Sequence, residues 1–127
     1  MNECGNILGI VLTLLVLDCA AQNDHDVSPD TVIDFSVSRH RGIKGDGSIV
    51  YVLAKDNQTL VAYRGQEVLW QVNVINQCGI PASGEATVRY LRLESDQLKV
   101  IFGKHDHATI NIYTGELICD GADKRVR

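Results

Sequence analysis

The sequence has little of several things that would settle its class at once. It holds two prolines, two phenylalanines, one methionine and one tryptophan in 127 residues. No apolar run reaches the roughly 20 residues of a membrane-spanning helix, which excludes a polytopic membrane protein. Basic charge is in short supply: 12 Lys and Arg stand against 16 Asp and Glu, for a net charge of −4. Phosphate recognition needs a basic surface, so nucleic acid is not expected as a partner. A Gly-x-Ser-x-Gly elbow, a glycine-rich phosphate loop and a Cys-x-x-Cys pair are all missing. With them go the usual signs of a hydrolase, a nucleotide enzyme or a thiol oxidoreductase. What remains is a chain of average composition, 45% hydrophobic and 22% charged, long enough for one domain with one core.

The most apolar stretch is Ile7–Leu17, eleven residues without a charge. As helix it spans about 16 Å against a bilayer core of about 30 Å, and its length fits the apolar region of a secretory signal. Asp18 ends the run, and Cys19-Ala20-Ala21 supplies the small residues that favour cleavage after Ala21. Residues 1–21 therefore read as a signal peptide or membrane anchor. The start is atypical, because Glu3 stands where a basic residue is usual. Three other readings stand beside cleavage. One is lipidation at Cys19, with Asp18 in a poor position for a lipobox. Another is an uncleaved anchor from Ile7 to Ala21 that tethers the chain to a membrane. The last is a buried N-terminal helix of a cytosolic protein. The expected location is secreted or periplasmic, or else membrane-anchored and facing the extracytoplasmic side.

Setting aside Cys4 and Cys19 leaves Cys78 and Cys119. Two cysteines in an oxidising compartment are expected to pair, and the alternative is two buried thiols. A bridge closing about 40 residues is worth roughly 3–4 kcal/mol in the chain-entropy account.

Residues 22–30 are polar, carry Pro29 and read as a flexible spacer. Residues 31–121 read as a β-domain and 122–127 as a polar tail. Within the domain, short runs rich in Val, Ile, Tyr and Thr are separated by Gly, Asn and Asp. Strands are expected at Val32–Ser38, Ile49–Ala54, Thr59–Tyr63, Glu67–Val74, Thr87–Leu93, Leu98–Phe102, Ala108–Tyr113 and Glu116–Cys119. The fold class is all-β.

The two halves repeat. IVYVLAKDNQTLVAYRGQEVLW, from Ile49 to Trp70, aligns with LKVIFGKHDHATINIYTGELIC, from Leu98 to Cys119. Lys55 meets Lys104, Tyr63 meets Tyr113 and Gly65 meets Gly115. With the strand in front of each half, the chain has two four-stranded antiparallel units at a period near 50 residues, the arithmetic of a propeller blade. Ala62-Tyr63-Arg64-Gly65-Gln66-Glu67-Val68-Leu69-Trp70 resembles the repeat of the quinoprotein-like β-propellers, Ala-x-Asp-x-x-Thr-Gly-x-x-x-Trp. Tyr113-Thr114-Gly115-Glu116-Leu117-Ile118-Cys119 keeps the Thr-Gly turn, with Cys119 in place of the tryptophan. The resemblance implies an interaction module or scaffold of an envelope complex. It does not extend to the quinone cofactor, which needs a complete ring of blades, and no cofactor is expected. Two blades cannot close such a ring, so the units are expected to pack as a small sandwich, curl into a barrel, or assemble with other chains.

Candidate chemistry is sparse. His105 and His107, one residue apart, form the best metal-like pair, although their segment also reads as a solvated hairpin tip. Arg39, Arg41 and Lys44 make a small basic cluster. The loops Arg39–Asp46 and Gln77–Glu85, the latter with Ile80 and Pro81, are long and glycine-rich and are the expected contact loops. The expected function is that of a non-catalytic extracytoplasmic binding or structural module, not an enzyme, with an unidentified protein partner in the cell envelope or extracellular space. The alternatives are an accessory subunit of an envelope complex and a metal-binding domain using His105 and His107.

Overall fold

The structure is a computed structural model that describes residues 26–122. Residues 1–21, with the cleavage and lipidation expectations at Ala21 and Cys19, lie outside the described residues, as does the tail beyond Ala122. Among the described residues ten strands and one short helix follow in order. They are β1 (Val27–Ser28), β2 (Val32–Asp34), β3 (Gly42–Lys44), β4 (Ile49–Leu53), β5 (Thr59–Arg64), β6 (Glu67–Asn73), α1 (Val74–Cys78), β7 (Val88–Glu94), β8 (Gln97–Phe102), β9 (Asp106–Asn111) and β10 (Leu117–Ala122). No helix among the described residues is long and apolar enough to cross a membrane.

The strands form two five-stranded sheets, β1-β3-β4-β5-β6 and β10-β9-β8-β7-β2. Each contains a four-stranded antiparallel meander, β3–β6 in one and β7–β10 in the other. Neither sheet closes into a barrel, and the two do not close a propeller ring.

All eight expected strands are present, but the leading strand of the first unit is not the expected one. Val32–Asp34 crosses to the second sheet and pairs antiparallel with β7, Ile33 opposite Leu91. Its apolar run stops early because the Asp34 carboxylate takes the Ser36 backbone N–H at 2.9 Å, starting a turn. The leading strand of the first unit is β3, which lies inside the expected Arg39–Asp46 loop. It has one apolar side chain, Ile43, fully buried, too little pattern to reveal a strand. Pairing also begins inside the stretch read as a spacer, where Val27–Ser28 run parallel to Gly42–Ile43. Thus β1 and β2 cover the leading edges of the two meanders, while β6 and β10 remain as outer edges.

A single apolar cluster draws on both sheets. Ile43, Tyr51, Leu53, Leu60, Trp70 and Val72 come from the first, and Leu91, Leu98, Val100, Phe102 and Ile110 from the second. The helix was unforeseen. Asn73 caps it by accepting the Asn76 N–H at 2.8 Å, and Val74 and Ile75 turn into the core. Its last residue, Cys78, is disulfide-bonded to Cys119 on the outer edge strand of the second sheet. The expected bridge is therefore present. Trp70 joins the two units a second time, donating its indole N–H to the Ile112 carbonyl at 2.7 Å.

Candidate functional site

At one end of the sheets the turns of both meanders meet around a half-open cleft of about 380 Å³. Antiparallel order brings them there: β3 and β7 begin at this end, and β4 and β8 finish at it. The end is laced together by backbone hydrogen bonds, Phe35 N–H to the Arg89 carbonyl, Val88 N–H to Asn57 and Lys104 N–H to Ser83, each 2.8–2.9 Å.

The polar lining is dominated by two arginines at matching positions of the repeat. Arg41 precedes β3, and its Nη2 lies 3.1 Å from the Leu53 carbonyl, 2.7 Å from the Ala54 carbonyl and 2.8 Å from Asn57 Oδ1. Arg89 sits near the start of β7, donating from Nε to Gly103 at 2.7 Å and from Nη2 to Lys104 at 3.0 Å, both through carbonyls. In each unit a guanidinium at the start of the leading strand thus holds carbonyls at or just past the end of the second strand. Phe35 lies beside Arg41, whose guanidinium carbon is 5.8 Å from the ring centroid. Lys104, Glu85, Thr87 and Val88 complete much of the wall. Asp34, at the end of β2, holds its carboxyl below the ordinary carboxylate value, chiefly through hydrogen bonds from the Ser36 hydroxyl and backbone and with help from the Arg89 charge.

The sequence-derived candidates are scattered. Arg41 is in the cleft, but as a half-buried clamp rather than a loose basic loop residue. Arg39 and Lys44 are exposed and do not line the cleft. Ile80 is exposed at 81%, whereas its neighbour Pro81 is buried. Pro81 packs so closely on Gly103 (φ +61°) that a β-carbon there would come within 2.3 Å of the proline ring. His105 lies in the β8–β9 turn, and His107 points from β9 into a second depression on the outer face of the second sheet, among Tyr90, Lys99, Ile101 and Asp120. No three His, Cys, Asp or Glu side chains among the described residues come together as a metal site would need. In that depression the polar groups satisfy one another, Lys99 to Thr109 Oγ1 and Thr109 to Asp120.

Sequence reasoning missed Arg89, Phe35 and Asn57. The signal for Arg89 was in the repeat itself. Arg41 lies 14 residues before Lys55, and Arg89 lies 15 before Lys104. No family model matches the chain, and neither a curated protein nor a solved structure matches it.

Proposed function

We propose that this chain is a small exported, non-catalytic binding domain, built from two degenerate four-stranded repeats packed as a sandwich. The observation that carries this reading is the Cys78–Cys119 bridge. Disulfides persist in secreted, periplasmic and surface proteins and are rare where thiols are kept reduced. The bridge also fastens the last strand to the helix that ends the first unit. The repeat reading is supported by the matched arginine clamps and by Trp70 of the first unit reaching the Tyr113-Thr114-Gly115 turn of the second. Binding is assigned to the cleft because it is concave, draws on both units and holds ordered polar groups at its wall.

Intact mass spectrometry of the protein from its native cells tests the exported-domain reading. The expected result is a chain beginning near Gln22 that gains two hydrogens on reduction. Free thiols in the native protein would overturn it.

A second reading, a subunit of an envelope complex, is favoured by the two outer edges. Among the described residues β6 and β10 each have one side without a strand partner, and Val68 and Ile118 on them are exposed at 49% and 59%. Such edges accept a strand from another chain. A defined hetero-complex from native extracts, against a monodisperse monomer, decides between the two.

A further inference from the structure

We propose that the cleft between the two units binds a small organic anion, a carboxylate carried on a body with an apolar face. This rests on the reading of the chain as a binding domain and names its ligand class.

The sign of the lining comes first. Arg41, Arg89 and Lys104 face the cleft against Glu85 alone. Asp34 flanks it near Arg89, but its carboxylate is already engaged by the Ser36 N–H and hydroxyl. Among the described residues no carboxylate forms an ion pair with Arg41 or Arg89. Their hydrogen bonds go to neutral oxygens, and the one carboxylate whose charge acts on either guanidinium is Asp34, beside Arg89 and outside ion-pair distance, so among the described residues neither arginine is neutralised by a contact partner.

Order is the second argument. A flexible arginine loses rotamer freedom when it binds a ligand, but these two are already held by carbonyls at 2.7–3.1 Å. Among the described residues Nη1 of each has no protein partner. A planar guanidinium so fixed matches a carboxylate better than a mobile ammonium would.

Size and polarity narrow the class. Phe35 and Val88 give the wall an apolar side that a bare inorganic ion would leave unused. A volume of about 380 Å³ lies at the small end of ligand pockets and suits an acyl amino acid or a dipeptide. The net charge of −4 repels a long polyanion while the local positive field attracts a short one.

The test is titration of the full, oxidised 127-residue chain with N-acetylphenylalanine, followed by calorimetry and amide NMR. Its uncharged amide and sodium acetate are the controls. The expected result is saturable binding of the acid, with shifts centred on Ser36, Asn57, Arg89 and Lys104, and binding of both controls about tenfold weaker or less. Two exposed side chains give variants that keep the fold. Lys104→Gln weakens the acid about threefold and Glu85→Gln tightens it about threefold, opposite signs that a general distortion would not produce. Equal binding of acid and amide, equal binding of acetate, a silent titration, or the same direction of change in both variants would overturn the proposal. Free thiols in the native protein would defeat the exported-domain reading and leave this titration standing. A silent titration of the oxidised chain defeats the cleft alone.

Discussion

The indole of Trp70 lies directly against Gly115, so that a β-carbon at Gly115 would sit 2.7 Å from the Trp70 Cγ. The glycine has φ +79°, and the carbonyl of Ile112 in the same turn accepts the indole N–H at 2.7 Å. The first repeat therefore docks its one tryptophan on the turn of the second.

Gly115→Ala is expected to lower stability by about 2–4 kcal/mol, because it adds backbone strain and a steric clash in a well-packed contact. The repeat provides its own control. Gly65 occupies the matching turn with φ +63° and has nothing within 4 Å of an added β-carbon. Gly65→Ala should cost only about 1 kcal/mol, the backbone part. Urea denaturation of the two variants measures the difference, and equal losses would show that the tryptophan contact contributes nothing.

Arg41→Gln and Arg89→Gln are each expected to cost about 1–2 kcal/mol. Each leaves two strand-end carbonyls without their charged donor. The loss should be similar at the two sites if they are copies of one device. A large loss at one and none at the other, read from thermal unfolding, would separate them.

How far the sequence foretold this arrangement depended on how much side-chain pattern each element carried. Eight strands were legible because Val, Ile and Tyr alternate or run together in them. β3 was hidden, since Gly42-Ile43-Lys44 buries one apolar side chain and is held by pairing with Val50–Val52. α1 is hidden because five residues are too few to show a helical period. β2 was visible but assigned to the wrong sheet, because strand pattern does not specify a partner. The cleft was the least legible part. Its groups come from four separated turns, and Arg89 lies inside an alternating strand, where a single charged side chain by itself carries no signal of a site. The disulfide was legible by counting, since the segment ahead of the domain takes the other two cysteines.

Reduction of the Cys78–Cys119 bridge, whose cysteines are 41 residues apart in sequence, is expected to lower stability by roughly 3–4 kcal/mol. The effect should be local first. Few side chains of β10 are buried: Leu117 packs on the core, whereas Ile118, Cys119 and Asp120 are exposed. Without the bridge, what holds the strand among the described residues is its pairing with β9 and the packing of Leu117. Amide exchange over Leu117–Gly121 should accelerate more than over β8, whose Leu98, Val100 and Phe102 are buried. Uniform acceleration across both strands would mean that β10 opens only with the whole domain.

Acid should destabilise the domain through Asp56 and Asp34. The Asp56 carboxylate accepts the Gln58 N–H at 2.8 Å, the Thr59 N–H at 2.9 Å and the Thr59 hydroxyl at 2.7 Å, and its pKa is lowered from 3.8, first by the Gln58 bond. That of Asp34 is lowered chiefly by the Ser36 hydroxyl. A carboxyl with a lower pKa folded than unfolded binds more protons when unfolded, so stability rises with pH. The contribution is complete above the unfolded value of 3.8 and disappears as pH falls through the lower folded value. Stability measured in urea between about pH 5 and pH 2 should therefore decline. Asp56→Asn should flatten that decline, because it removes the titrating group while keeping an oxygen acceptor for the turn. An unchanged acid slope in the variant would assign the loss to other carboxylates.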